Sequence, residues 1–507
     1  MYHNPRASCF SPIGSHSDKM GDIKTSASFK DQSLAESKDY FNQWTKRLLA
    51  WGVESRGIQP VPPEQRTDTR LLKVFFIWFT ANFNILSFSS GTIGPVVFGL
   101  GLRDSCLTIL FFGLLCFAPP AYFTIWGPQL GMRQMIASRY SFGYYGVIIP
   151  CVLNLIGMCG FCILNCILGG QALSSAANGN LSWTVGIVII AMISLLISFC
   201  GMKYLVWYER IAWIPVFVTF LVALGVGGKH LSNPPPAAPA TAASIMSFAS
   251  TLAGFAITYA PLSSDFSIYF KPESSSWKLF FYTYIGFLLP TIPLQVLGAA
   301  VAIASTSVPS WADGYQGGNV GGLLAAMLNP TGGFGKFLTV LLSLSVTGNI
   351  AATFYSATLN LQVVVPVLVV VPRYIFSIVA TVVVIPVAIT GAHTFYATLS
   401  NFLGIIGYWA SAYVGILLVE HIVFRRNDPG QYDVRSWDKP NKLPTGIAAL
   451  AAGAGSVGLI VPCMEQVWYT GPIAMTTGDI GFEVAFAISA LLYLPFRALE
   501  IRIRRSI

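Results

Sequence analysis

Residues 79–100 read FTANFNILSFSSGTIGPVVFGL, an apolar segment of membrane length that is interrupted by polar side chains. Lipid cannot satisfy unpaired backbone groups, so an interrupted helix is tolerated in a membrane only where it lines a protein cavity. The segment therefore predicts a broken membrane helix beside a central cavity. The residues that predict the interruption are Asn82, Asn84, Ser87, Ser89, Ser90, Gly91, Gly94 and Pro95.

The whole chain has a membrane composition. Of its 507 residues 54% are hydrophobic and 10% charged, and the mean hydropathy is +0.64, whereas soluble domains carry about 25% charged residues. About 20 apolar residues form a membrane-spanning helix. We predict an all-α integral membrane protein with twelve spans, at residues 72–98, 104–126, 144–172, 182–201, 207–227, 246–270, 278–304, 334–360, 372–391, 396–424, 444–462 and 480–497.

The basic residues orient these spans. The chain has 30 Lys and Arg residues, and all but Arg103, Lys229 and Lys336 fall on the side that holds both termini. Lys and Arg favour the cytosolic side, so we expect cytosolic termini. The net charge of +9 then reflects this bias and contact with membrane lipids, without a nucleic-acid partner.

The organisation follows from the spans. We expect a cytosolic N-terminal tail (1–71), a core of ten spans (72–424), a cytosolic loop with two further spans (425–497) and a cytosolic C-terminal tail (498–507). The N-terminal tail has no signal-peptide pattern. No organelle address is visible, so we expect the plasma membrane.

A second interrupted span lies five spans after the first. Residues 252–266 read LAGFAITYAPLSSDF, in which Gly254 and Pro261 again fall within the apolar segment. Broken helices at corresponding positions of two halves are typical of an inverted-repeat transporter with its substrate site at mid-membrane. The alternative is a simple kink, because glycine and proline are common in membrane helices.

Spans 3 and 8 carry amide side chains on one face. Asn154, Phe161 and Asn165 are separated by seven and four residues and so share a helix face. Asn349 lies near the middle of a polar stripe in span 8, whose members are Ser345, Asn349, Thr353, Ser356 and Asn360. An aromatic ring beside amides can stack on a flat ring and hydrogen-bond its edge. The alternative is that these polar groups only hold helices together.

Ionisable groups are scarce within the spans. Asp265 lies near the inner end of span 6, and Arg133 and Arg139 lie in the loop TIWGPQLGMRQMIASRYSFG, residues 124–143. Protonation of Asp265 could couple to conformation, and a gating ion pair with a loop arginine is the alternative. We expect no metal or cofactor, because Cys159, Cys162 and Cys166 lack nearby histidines.

Several stretches together resemble the purine-cytosine permease branch of the nucleobase:cation symporter family. They are GPVVFGLGLRDS (94–105), the loop 124–143, ILNCILGGQALS (163–174) and ITYAPLSSDFSIYF (257–270). The resemblance implies a LeuT-type fold of five plus five inverted helices with two added helices, and a substrate site between spans 1, 3, 6 and 8. Fungal members typically import cytosine and purines with protons.

The resemblance also implies roles for single residues. Asn165 matches the family's binding asparagine of span 3, Tyr259 matches the aromatic residue before the span 6 proline, and Asn82, Asn84 and Ser87 match the polar cluster of span 1. Span 8 departs from the family, because 349–353 read NIAAT where nucleobase importers usually read NNIPN. The loss of an amide at Ile350 would change the hydrogen bonds offered to a polar ring.

We therefore predict a symporter that imports a planar nitrogen heterocycle with protons. The predicted contacts are Asn82, Asn84, Ser87, Phe161, Asn165, Tyr259 and Asn349. A vitamin-like ligand such as pyridoxine, or a specialised metabolite, is the alternative substrate, and a nutrient receptor that does not transport is the alternative class. An enzyme ranks last, because the sequence has no HExxH, GxSxG or phosphate-loop motif.

Overall fold

The computed structural model describes residues 57–199, 208, 210–371 and 373–504. Most of the predicted N-terminal tail, residues 1–56, lies outside this part of the chain. Within it, the α-helices are α1 (Leu72–Asn82), α2 (Ile85–Phe98), α3 (Leu102–Cys116), α4 (Ala118–Thr124), α5 (Trp126–Leu130), α6 (Gln134–Ala137), α7 (Arg139–Phe142), α8 (Ile148–Ala176), α9 (Trp183–Phe199), α10 (Trp213–Gly227), α11 (Ala242–Ile257), α12 (Ser276–Ser305), α13 (Pro309–Tyr315), α14 (Val320–Leu328), α15 (Gly333–Leu344), α16 (Thr347–Val364), α17 (Arg373–Gly391), α18 (Phe395–Val419), α19 (Ile447–Cys463), α20 (Ala474–Thr477) and α21 (Gly481–Arg504).

The other regular elements are short. An antiparallel hairpin joins β1 (Glu465–Gln466) to β2 (Tyr469–Thr470). The 3-10 helices are Pro63–Gln65, Gly228–His230, Ala260–Phe266, Gln316–Gly318, Asn329–Thr331, Pro366–Val370, Ala392–Thr394, Pro429–Gln431 and Val434–Ser436, and Glu420–Phe424 is a π-helical turn.

Apolar helices account for the predicted spans. In the described residues eight helical runs are long and apolar enough to cross a membrane, and the bent pair α1–α2 makes a ninth. The run Ile375–Phe424 covers two predicted spans, and α9 and α19 are shorter apolar helices. Each of the twelve predicted spans thus overlaps an apolar helix of the structure, so the all-helical membrane fold is confirmed and the count of twelve is consistent with it.

The first span is broken between α1 and α2, which are bent by 56°. Asn84 lies at the break and caps α2: its Oδ1 accepts from the backbone N–H groups of Leu86 (2.9 Å) and Ser87 (3.1 Å). Its Nδ2 donates to the carbonyl oxygen of Ala81 at 2.7 Å. An asparagine that bonds the backbone in this way competes with the helix ladder, so the break lies at Phe83 and Asn84.

The glycines of the first span have a different role from the predicted one. Gly91, Gly94 and Pro95 lie inside α2 and do not unwind it. A Cβ added at Gly91 would lie 1.9 Å from the carbonyl oxygen of Gln295 on α12, so this glycine permits close packing of two helices. The expected interruption exists, but it precedes the glycines.

The sixth span changes helix type without a bend as sharp as that of the first. The α-helix α11 ends at Ile257, and a 3-10 helix from Ala260 to Phe266 continues it past Thr258 and Tyr259. Pro261 lies in the first turn of the 3-10 helix, where its missing N–H costs nothing. Gly254 is again a packing residue, because a Cβ there would lie 1.9 Å from the carbonyl oxygen of Leu403.

The eighth span has a short junction that the sequence did not predict, although its backbone keeps right-handed helical angles throughout. It consists of α15 and α16, separated by Ser345 and Val346. The Oγ of Ser345 accepts a hydrogen bond from the backbone N–H of Ile85 at 3.2 Å. The junction of α15 and α16 is therefore joined directly to the break of span 1.

Residues 57–71, the end of the predicted tail, pack against the core. The backbone N–H of Val61 donates to the carbonyl oxygen of Gly131 at 2.8 Å. Asp68 exchanges backbone hydrogen bonds with the segment after span 6, donating to Tyr269 (3.0 Å) and accepting from Lys271 (3.1 Å). This segment thus connects loop 124–143 to the end of span 6.

A buried ionic cluster attaches the last span to span 10. Glu420 accepts hydrogen bonds from Arg425 and Arg497 at 2.9 Å each, and Tyr493 donates to the same carboxylate at 2.9 Å. Since both oxygens of Glu420 are used by several donors, the buried charge is compensated. The cluster holds α21 against the core.

Candidate functional site

Polar side chains from four interrupted or amide-bearing spans meet in one network. Asn165 on α8 donates its Nδ2 to the Oδ1 of Asn349 on α16 at 2.9 Å. Asn349 in turn donates to the carbonyl oxygen of Ala81 at 2.9 Å. Tyr259, which follows α11, donates its hydroxyl to the Oδ1 of Asn82 at 2.8 Å. Spans 1, 3, 6 and 8 are thus linked by side-chain hydrogen bonds.

A second amide pair joins spans 3 and 8, earlier in the chain on α8 and later in the chain on α16. Asn154 donates its Nδ2 to the Oδ1 of Asn360 at 3.1 Å, and Asn360 also donates to the carbonyl oxygen of Ser356. The polar stripe of α16 therefore faces the protein interior. At this second pair the amides act as links between helices, which was the alternative interpretation of the sequence.

A small cavity lies beside the network. Its volume is about 20 Å³, room for about one water molecule, whereas small-molecule pockets usually measure roughly 300 Å³ or more. The structure therefore represents a closed state, in which the lining side chains must separate before a small molecule can enter. The lining residues are Asn154, Gly157, Met158, Phe161, Thr258, Tyr259, Leu262, Asn349, Thr353 and Trp409.

Two aromatic rings form parallel walls of this cavity. Phe161 and Tyr259 are stacked with ring centroids 6.3 Å apart and an interplanar angle of 23°. Behind them, Phe402 packs edge-on against Phe161 at 5.4 Å, and Phe287 packs against Tyr259 at 5.0 Å. Carbon atoms in contact are about 3.5–4.0 Å apart, so a flat ring would need about 7 Å between the two walls. The two walls would therefore have to move apart before a flat ring could lie between them.

The predicted contact residues occupy three kinds of position. Phe161, Tyr259 and Asn349 line the cavity. Asn82 and Asn165 lie behind it, fully buried, and each is hydrogen-bonded to a lining residue. Asn84 and Ser87 serve the break of span 1 instead: Asn84 caps α2, and the Ser87 hydroxyl donates to the carbonyl oxygen of Asn82 at 2.6 Å.

The departure from the family pattern in span 8 lies outside the cavity. Ile350 is 1% exposed and belongs to the hydrophobic core, and neither Ile350 nor Ala352 lines the cavity. Only Asn349 and Thr353 of this stretch contribute to its wall. In the closed state the change from asparagine to Ile350 thus leaves the polar groups of the lining unaltered.

Sequence reasoning missed several lining residues, above all Trp409. It lies on α18, in span 10, which carried no polar stripe to draw attention to it. The available signal was Gly407, just before it in α18, opposite Gly254 of α11. A Cβ on Gly407 would lie 3.0 Å from the Cα of Gly254, so these glycines bring α18 against α11 and place Trp409 beside the network.

Asp265 lies apart from the cavity and contacts the loop between spans 2 and 3. Its Oδ1 accepts from the backbone N–H of Gln134 at 3.0 Å, and its carbonyl oxygen accepts from Nη1 of Arg133 at 2.6 Å. The guanidinium of Arg133 also lies over the ring of Tyr355 on α16, 5.4 Å from its centroid. Asp265 and Arg133 therefore connect spans 6 and 8 to the loop.

Arg139 contacts a different part of the protein. Its Nη1 donates to the carbonyl oxygen of Trp437 at 3.0 Å, and its guanidinium lies 4.5 Å from the ring centroid of Tyr144. Burial lowers the pKa of Arg139 from its ordinary value, as expected for a cation that loses water. Of the two predicted gating arginines, the structure brings only Arg133 to Asp265.

Comparison with known proteins agrees with these features. A family model described as permease for cytosine/purines, uracil, thiamine, allantoin matches residues 60–484. The purine-cytosine permease fcyB of Emericella nidulans is 39% identical over 465 residues, which cover 90% of this chain and 91% of that protein. The vitamin B6 transporter TPN1 of Saccharomyces cerevisiae is 30% identical over an alignment of 516 positions. The alignment covers 90% of this chain and 89% of that protein.

A solved structure shares the fold. Mhp1, a nucleobase-cation-symport-1 family transporter solved in a closed conformation with bromovinylhydantoin bound, superposes with a TM-score of 0.68 at 17% identity. The match covers 88% of this chain and 96% of Mhp1. The fold is therefore the predicted LeuT-type arrangement of five plus five inverted helices.

Proposed function

Because this chain belongs to the purine-cytosine permease branch of the nucleobase:cation symporter family, and is thus a membrane transporter rather than an enzyme, we propose that it imports a cytosine- or purine-type nucleobase together with protons. The observation that supports this substrate class most directly is the pair of parallel rings, Phe161 and Tyr259, with Asn349 at the same cavity. Flat heterocycles with amide-like edges match both features.

The buried network offers a further hydrogen-bond acceptor. The Oδ1 of Asn165 is buried and has no hydrogen-bond partner among the described residues. A buried acceptor without a donor costs about 1–3 kcal/mol. We propose that Asn349 turns toward the substrate when the cavity opens, and that Asn165 then takes part in binding through its unpaired oxygen.

The carbonyl oxygens at the break of span 1 favour protons over Na⁺ as the coupling ion. Broken helices bind cations through such oxygens, but here they already accept hydrogen bonds. Ala81 accepts two, from the side chains of Asn84 and Asn349, and Asn82 accepts from the Ser87 hydroxyl. A cation would have to displace these donors. We propose Asp265 as the group that takes up the proton.

The orientation supports import from outside the cell. We propose that loop 124–143 and the attached segment 57–71 lie on the cytosolic side, as the distribution of Lys and Arg indicates. Asp265 then lies near the cytosolic end of the pathway, where it can release a proton inward. The plasma membrane is the proposed location.

A vitamin B6 compound is the second candidate substrate. The 30% identity to the vitamin B6 transporter over 90% of the chain supports it, and a pyridine ring also fits between two aromatic walls. The identity to the purine-cytosine permease is higher, at 39%, which ranks nucleobases first.

An uptake panel tests this ranking. The protein is expressed in cells that lack their own nucleobase and pyridoxine carriers, and uptake of labelled cytosine, adenine, hypoxanthine and pyridoxine is measured with unlabelled competitors. We expect saturable uptake of at least one nucleobase that excess pyridoxine does not inhibit. Uptake of pyridoxine alone would establish the second candidate, and binding of a nucleobase without uptake would identify a receptor.

A further inference from the structure

Trp409, a residue of the cavity lining, has a hydrogen-bond donor that no described residue uses. The residue lines the cavity, and its Nε1 is buried without a partner among the described residues. The hydroxyl groups of the cavity lining all donate to protein oxygens. Tyr259 donates to the Oδ1 of Asn82. Thr258 donates to the carbonyl oxygen of Gly254, and Thr353 donates to the carbonyl oxygen of Asn349. Asn154 and Asn349 donate to protein oxygens as well.

The unpaired indole N–H of Trp409 destabilises the closed state. A buried N–H without an acceptor is destabilising, and a phenylalanine at this position would keep an aromatic ring without that cost. The ring of Trp409 packs edge-on against Tyr413 at 6.1 Å, a contact that needs no indole nitrogen. The indole N–H therefore has no structural use that the described residues reveal.

We propose that Trp409 determines substrate specificity by donating its indole N–H to an acceptor atom on the edge of the transported ring. The indole nitrogen can only donate, and we assign as its partner a ring nitrogen with a free lone pair. Recognition of this kind rests on the proposed function, since it requires a heterocycle between Phe161 and Tyr259. It adds span 10 to the four spans from which contacts were predicted.

The consequence is selection against rings that carry C–H at the contact position. A site built to bond a polar atom rejects the analogue that lacks it, because the buried group of the protein stays unpaired. The loss of one such hydrogen bond lowers affinity by about tenfold. Replacing a nitrogen by C–H at any other ring position should leave the affinity unchanged if no buried donor of the protein contacts that position.

A ligand-variant cycle tests the proposal. Inhibition constants for the uptake of the best purine substrate are measured for the parent purine and its 1-, 3-, 7- and 9-deaza analogues, in which a C–H replaces one ring nitrogen. The variants are Trp409→Phe and, as a matched control, Trp126→Phe. Trp126 also has a buried Nε1 without a partner, but it lies on α5, outside the cavity.

In the wild type and in Trp126→Phe, we expect one deaza analogue to bind about tenfold more weakly than the parent purine. In Trp409→Phe, we expect that analogue to bind as well as the parent purine. Coupling between one protein atom and one ligand atom gives this pattern, whereas a structural effect would shift all ligands together. The role of Trp409 would be overturned if, for every analogue, the ratio of its inhibition constant to that of the parent purine were the same in Trp409→Phe as in the wild type. Uptake of no nucleobase at all by the wild type would reject the proposed function and this inference with it.

If Trp409→Phe does not reach the membrane, the same ratios are measured with benzothienylalanine incorporated at position 409. Its ring system has the size of indole and a sulfur atom in place of the N–H. The same loss of discrimination against one analogue is expected, and retained discrimination would contradict the proposal.

Discussion

Asn165 and Asn349, which are 184 residues apart in the chain, are joined by a hydrogen bond of 2.9 Å that ties span 3 to span 8 beside the cavity. Asn349 also holds the carbonyl oxygen of Ala81 at the break of span 1. One side chain therefore connects three spans in the closed state. Any movement that opens the cavity between these spans must alter these bonds.

The first prediction concerns Asn165. Asn165→Ala removes the bond to Asn349 and the buried acceptor, so we expect the KM for uptake to rise by about tenfold or more with surface expression unchanged. Gln295→Ala is the control, because it breaks another buried amide bond between two helices, to the Ser90 hydroxyl at 3.0 Å, and neither residue lines the cavity. Equal loss of transport in both variants, or none in Asn165→Ala, would remove Asn165 from the site.

The hydroxyl of Tyr259 is expected to serve both stability and binding. Tyr259→Phe keeps the ring wall but leaves the Oδ1 of Asn82 without this donor, at a cost of about 1–3 kcal/mol in the free energy of unfolding. We expect a several-fold higher KM together with lower thermal stability of the purified protein. Tyr413→Phe loses a comparable buried bond, to Ser138 at 2.6 Å, and should lower stability without raising KM. A normal KM in Tyr259→Phe would contradict a role in binding.

Restoring the family asparagine at position 350 is not expected to improve nucleobase affinity. Ile350 lies in the hydrophobic core, so Ile350→Asn buries an amide among apolar side chains and costs about 1–3 kcal/mol. We expect reduced thermal stability and an unchanged or higher KM, whereas Ile350→Leu should behave almost as the wild type. A lower KM for cytosine in Ile350→Asn would show that this position reaches the substrate in another conformation.

Asp265 is expected to carry the coupling proton. Asp265→Asn keeps an oxygen for the bond from the Gln134 backbone but cannot release a proton, so accumulation against a gradient should be lost while exchange of labelled for unlabelled substrate persists. Asp68→Asn is the control, since Asp68 lies before the first span and pairs with Arg70. Accumulation by Asp265→Asn at the wild-type level would exclude this residue from coupling.

The sequence predicted much of the fold because hydropathy is local. Twelve apolar stretches could be located from composition, and the polar residues of span 1 indicated a break. The exact cause of the break was misjudged, because Gly91 and Gly254 have neighbours on other helices that no local pattern reveals. The unpredicted junction at Ser345 has the same explanation, since its partner Ile85 lies 260 residues away.

The site could be predicted only in part. Phe161, Tyr259 and Asn349 line the cavity, and their residue types or the family resemblance indicated each of them. Asn84 has the same side chain as Asn82 and lies two residues from it, yet one caps a helix and the other bonds Tyr259. A change of direction at the break separates their roles, and this geometry cannot be derived from spacing. Trp409 was missed because a tryptophan in an apolar helix resembles any lipid-facing residue.

The most direct test is transport by the purified protein in liposomes with an imposed pH gradient, acidic outside. The account predicts that labelled cytosine or a purine accumulates, that a protonophore abolishes the accumulation, and that replacing Na⁺ by choline leaves it unchanged. Accumulation that requires Na⁺ and survives the protonophore, or no accumulation of any heterocycle, would contradict it.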